Sequence, residues 1–210
     1  MSDVAEVKKL DIAATLKDGI EIGIKNIGPI LVNVLLWVLT VWVPYLNVGT
    51  TIGLSVGIVS KAGRGEAISF TEIFDPKYRK YMGEFFLTIG LIALGVGIGI
   101  AFIIVPGIVI GLAWSLALLL VIDKGKRPVD SLALSNSLTY GNKWRMFGIF
   151  FITGVIFGIV HSFLLFIGDL SDSIGLGVFI SFITFLLGLC EVFIFVGLWA
   201  SVYRQLAGDV

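Results

Sequence analysis

Polar and apolar positions along this chain fall into long blocks rather than a short alternation. All 35 residues from Asn26 to Ser60 are uncharged, as are all 38 from Phe85 to Ile122. Both blocks are far longer than the ~20 apolar residues one membrane-crossing helix requires. Each contains a breaker near its middle, Pro44 with Asn47 and Gly49 in the first and Pro106-Gly107 in the second. A missing amide followed by a flexible glycine favours a turn, so each block is expected to be a hairpin. Two further apolar stretches follow, residues 146–168 and 173–203, parted by a polar turn holding Asp169 and Asp172. The fold class expected is all-α, a polytopic membrane helical bundle. Its six transmembrane helices are placed at 27–43, 46–60, 85–105, 108–122, 146–167 and 176–199.

The polar segments between these blocks are read as amphipathic helices over 10–26, 66–83 and 128–140. In the first, Ile12, Leu16, Ile20, Gly23 and Ile27 share one face, with Asp11, Lys17, Asp18 and Lys25 polar. In the second, Ser69 and Glu72 have capping-box spacing and Pro76 interrupts. In the third, Pro128 suits a first helical position and Gly141 a helix stop. The outgoing arms share a short pattern, Ile52-Gly53-Leu54, Ile110-Gly111-Leu112 and Val196-Gly197-Leu198. Three copies of one unit, amphipathic helix plus hairpin, would produce it; so would chance recurrence in so apolar a chain.

Composition supports the membrane reading, with 57% hydrophobic and 14% charged residues and a mean hydropathy of +1.02. Soluble domains carry about 25% charged residues. The 15 basic and 15 acidic residues cancel, so nothing points to nucleic acid. Placement of charge is more informative. With six spans every Lys and Arg falls on one side, which the positive-inside rule assigns to the cytoplasm, so both termini are expected there and the protein in the cell membrane. Four spans, each long block being one kinked helix, would divide the basic residues between both faces. The first 26 residues are charged throughout and lack the apolar core of a signal peptide.

Chemistry is sparse. A single Cys190 and a single His161 exclude an internal disulfide and a Cys/His metal cluster, and no nucleophile, phosphate loop or metal motif has the required spacing. No enzyme activity, metal or cofactor is expected. Asp169 and Asp172 fall short of a calcium site. Glu191 is the one acidic residue inside a span, where a carboxylate usually faces a cavity, a bundle interior or a partner. With His161 and Asn33 it makes the set of candidate pore residues. Counting ~1.5 Å per residue from Leu176 and from Met146 sets Glu191 and His161 in opposite halves of the membrane, too far apart to pair directly. Lys124, Lys126, Arg127, Trp144 and Arg145 are candidate contacts to lipid headgroups, or ordinary anchors. The pairs Gly53/Gly57, Gly95/Gly99, Gly107/Gly111 and Gly154/Gly158 suit close helix approach within one chain or between copies in a homo-oligomer.

The run Pro106-Gly107, then Asp123 to Pro128, then Ser135-x-x-Leu138-Thr139-x-Gly141-x-x-Trp144-Arg145-x-Phe147 resembles the membrane domain of some bacterial glycerophosphodiester phosphodiesterases and related six-span prokaryotic proteins. The likeness covers about 40 residues and implies a six-span topology and a prokaryotic source. It implies no catalytic residues, since the phosphodiesterase chemistry of such fusions belongs to a separate soluble domain. Two functions fit: an oligomeric channel or small-solute transporter using Glu191, or a non-catalytic scaffold or membrane-shaping protein built on the three polar lead-in segments.

Overall fold

The computed structural model describes residues 9–170 and 173–210, so Lys8 and Asp172 lie outside the described residues. Within them the chain is helical, without strands. Four helical stretches are long and apolar enough to cross a membrane: Met82–Phe102, Ile104–Lys124, Lys143–Asp169 and Ile174–Ala207. A fifth crossing arises only if α1 (Ile12–Lys25) and α2 (Ile27–Thr40), bent by 70° at Asn26, are taken as one broken span. Alone, the 14 residues of α2 reach ~21 Å against a hydrocarbon core of ~30 Å.

α1 does not lie free on a surface. Thr15, Gly19 and Gly23 are buried, whereas Ile12 and Ile20 are exposed. The seat is made by small residues. A Cβ on Gly19 would come within 2.9 Å of the Leu198 backbone, and one on Gly23 within 2.5 Å of the Phe193 carbonyl oxygen. Close backbone contact between helices of this kind needs glycine.

After α2 the chain turns through residues 41–45, where Tyr45 has a positive φ of 70° with ψ −45°. It returns as α3 (Leu46–Ile52), a π-helical turn (Gly53–Gly57) and α4 (Ile58–Arg64), closed by left-handed Gly65. The π turn carries Gly53 and Gly57 against Ile73 and Tyr78. Helix does not run through 66–83. Instead a 3₁₀ turn (Glu72–Phe74) and the short α5 (Pro76–Lys80) precede α6 (Met82–Phe102). The capping box is not formed either: the Glu72 carboxylate turns inward to Lys61, Lys77 and Tyr78.

The second hairpin turns at the extended Ile103, three residues before Pro106-Gly107. Pro106 then sits in the first turn of α7 (Ile104–Trp114), where helix amides have no intrahelical partner to lose. Gly107 allows the two arms to cross closely, since a Cβ on Gly99 would lie 2.8 Å from its Cα. α7 breaks at Ser115 and continues as α8 (Ala117–Lys124). The broken backbone is served by α9 (Pro128–Thr139): the Ser135 hydroxyl donates to the Ala113 carbonyl at 2.7 Å and accepts from the Leu116 amide at 3.1 Å. Apolar surroundings demand such internal partners. α9 therefore buries polar residues, Ser131, Ser135 and Thr139, beside the apolar Pro128 and Leu132.

α10 (Lys143–Asp169) and α11 (Ile174–Ala207) form the last hairpin. Their shared base is well packed, with Phe150 stacked on Phe195 and on Trp199 at 6.1 and 4.4 Å between ring centres. Toward the turn, Phe163, Phe166, Phe179, Phe182 and Phe185 are exposed. At the opposite, polar end, Leu10 N–H donates to Asn142, Arg145 donates to the Leu10 carbonyl, and Arg204 pairs with Asp18.

Candidate functional site

Two groups of ionisable side chains stand out, one within the long apolar hairpin and one at the polar end. In the hairpin, His161 of α10 and Glu191 of α11 meet directly, Nδ1 to Oε1 at 3.1 Å. This overturns the depth count from the sequence, which set them too far apart. The cause is register. Gly168 lies against Ile180, with 3.5 Å from a Cβ there to the Ile180 side chain, so α11 begins beyond the end of α10. Counting from Leu176 as the level of residue 168 sets Glu191 too deep by about four residues, roughly 6 Å and about half of the expected offset, and the two side chains span the rest. Both side chains remain partly exposed, 26% for His161 and 30% for Glu191.

On the same side of α10 lie Gly154 and Gly158, seven and three residues before His161, and nothing of the chain comes within 4 Å of a Cβ built at either. The other expected glycine pairs are used inside the chain: Gly53 and Gly57 by Ile73 and Tyr78, Gly95 by Trp114, Gly99 and Gly107 by each other, with Gly111 in ordinary contact with Val96.

The second group was not legible in the sequence. Glu72, 3% exposed, accepts from Lys61 at 2.7 Å, from Lys77 at 3.2 Å and from the Tyr78 hydroxyl at 2.6 Å. Burial alone would raise the Glu72 carboxyl, but these hydrogen bonds outweigh it and hold it below its ordinary value of 4.5. For Lys77 burial would lower the ammonium, and Asp75 with Glu72 raises it instead. Burial raises the Tyr78 hydroxyl, and its bond to Glu72 raises it further. Beside them Arg64 pairs with Glu66 and Asp123, and Asp123 also accepts from the Tyr203 hydroxyl at 2.6 Å. The cluster thereby ties α4, α5, α8 and α11 together. The one sequence sign of it was an acidic residue, Glu72, set among apolar neighbours Phe70, Ile73 and Phe74.

Asn33, Arg127, Trp144 and Arg145 have partners within the chain. Asn33 is fully buried, donating to the Pro29 and Ser69 carbonyls and accepting from Ile73 N–H, so it fastens the 69–73 loop to α2 instead of lining a path. Thr40, Ser55, Ser115, Thr153, Ser181 and Thr184 donate to carbonyls of their own helices. Arg145 caps the Leu10 carbonyl, and Arg127 pairs with Asp130 in the open. Trp144 is 63% exposed, edge-on to Phe147. Lys124 borders a cavity with Tyr203, Arg204 and Asp209. Among the described residues no three His, Cys, Asp or Glu side chains gather as a metal site. Comparison with protein-family models, curated proteins and solved structures finds no match, so these side chains and their geometry are what define the candidate site.

Proposed function

We propose that this chain is a subunit of an oligomeric channel or small-ion transporter in which His161 and Glu191 form the proton- or cation-handling element. What supports it is their 3.1 Å contact, midway along two apolar helices and partly exposed toward whatever adjoins the hairpin. An ionisable pair at membrane depth is costly and usually serves a pathway. Imidazole and carboxylate together can accept a proton on one side and release it on the other. Several copies arranged around an axis would pool these pairs, and the open Gly154 and Gly158 offer a close-packing face for a neighbouring helix.

In this reading the chain has six membrane segments with both termini in the cytoplasm. The one-sided distribution of the basic residues and the likeness to phosphodiesterase-linked membrane domains support that topology. The test is proton flux in proteoliposomes under a potassium diffusion potential. Wild type is expected to acidify the lumen, and Glu191→Gln and His161→Phe to lower the rate at least tenfold. Flux unchanged in both variants, or absent in wild type together with a monomeric mass in detergent, overturns the proposal.

A further inference from the structure

A cavity of about 210 Å³ lies between the end of α4, the end of α8 and α5, lined by Ser60, Lys61, Arg64, Lys77, Tyr78 and Asp123 among others. Its chemistry is lopsided. The Ser60 hydroxyl is buried, at 3% residue exposure, and has no hydrogen-bond partner. An ammonium has three N–H donors. Lys61 gives one to Glu72, and Lys77 gives one each to Glu72 and Asp75. The carboxylates, by contrast, are engaged: Glu72 by three donors and Asp123 by Arg64 and Tyr203. Donors without acceptors therefore converge on this space.

We infer that the cavity binds a phosphate-type oxyanion, with the Ser60 hydroxyl and the Lys61 and Lys77 ammonium groups donating to its oxygens. A phosphodiester supplies acceptors only, and an inorganic phosphate supplies mostly acceptors, which is what the lining lacks. The surrounding charge sets the form. Lys61, Arg64 and Lys77 are outnumbered by Glu66, Glu72, Asp75 and Asp123, leaving one excess negative charge, and the carboxyl ends of α4 and α8 add partial negative charge. Attraction comes from short hydrogen bonds and not from a long-range field. This favours a monoanionic phosphodiester or monobasic phosphate over a dianion, with weak affinity; for inorganic phosphate alone the affinity rises as pH falls toward 6 and the dianion gives way to the monoanion. Two sources share that chemistry, a lipid headgroup and a free phosphate.

The test measures binding by calorimetry and thermal shift on the full chain in neutral detergent, with inorganic phosphate and with short-chain phosphatidylglycerol as probes. Ser60→Ala is the diagnostic variant, since Ser60 bonds to nothing in the protein and its loss leaves the fold intact. Lys126→Gln is the distant control. Wild type and Lys126→Gln are expected to bind at least one probe, and Ser60→Ala to bind it about tenfold more weakly with an unchanged unfolding midpoint in the absence of probe. Binding of phosphatidylglycerol alone assigns a headgroup site; binding of phosphate, a solute site. Neither probe binding to wild type, or equal binding by Ser60→Ala, overturns the inference.

Discussion

The polar end of the molecule and the α10–α11 hairpin use the same kinds of residue in opposite ways. At the polar end the glycines of the α1–α11 crossing are closed: Gly19, Gly23 and Gly197 bring the two helices into backbone contact, and Glu72, Asp123 and Asp18 are matched by cations within the chain. Along the hairpin Gly154, Gly158, Gly177 and Gly188 meet nothing within 4 Å, large apolar side chains are exposed, and the His161–Glu191 pair is partly exposed. Glycine spacing therefore does not by itself report an intrachain contact. In one region the chain supplies the opposing surface; in the other, lipid or a second copy must.

The sharpest way to break this comparison is to add a side chain at matched glycines. Gly197→Val at the α1–α11 crossing drives a side chain into the Gly19 backbone and is expected to cost about 3 kcal/mol or more, read as a large drop in thermal unfolding midpoint in detergent. Gly158→Val, into open space, is expected to stay within about 0.5 kcal/mol while lowering the mass of the detergent-solubilised particle. Equal destabilisation by both would erase the distinction.

Charge offers the second contrast. Glu72→Gln removes the buried carboxylate that faces the part-exposed Lys61 and Lys77 and should cost about 1–3 kcal/mol, whereas Glu191→Gln should cost about 1 kcal/mol or less in denaturant titrations. Acid sharpens this. Because the folded Glu72 carboxyl lies below its ordinary 4.5, its contribution is fully present above that value and is lost as pH falls through the lowered one. The unfolding midpoint should therefore decline on acidification from pH 5 to 3, and that decline should be shallower in Glu72→Gln. A small effect is also expected for Thr153→Val, whose hydroxyl bonds only to the Ile149 carbonyl of its own helix; it should change the stability by about 1 kcal/mol or less.

Much of the architecture is legible in the chain because it follows from local rules. Uncharged runs mark the apolar helices, Pro128 opens α9, and Gly65, Gly125 and Gly141 take left-handed conformations at helix ends. The site is less legible. Lys61 and Glu72 are 11 positions apart and Asp18 and Arg204 are 186 apart, and nothing in composition links them. The His161–Glu191 contact escaped a depth count because a turn and a half of α11 stands beyond α10, and register between two helices depends on which side chains interlock.

What the sequence determined alone is that this chain is all-helical and built for a membrane, because ~20 apolar residues without charge have no other stable place to go. Tertiary structure decided which helices meet, where the π turn and the bend at Asn26 fall, and which ionisable groups face each other. Those depend on close contacts between residues far apart along the chain, where the presence or absence of one Cβ sets whether two backbones can approach.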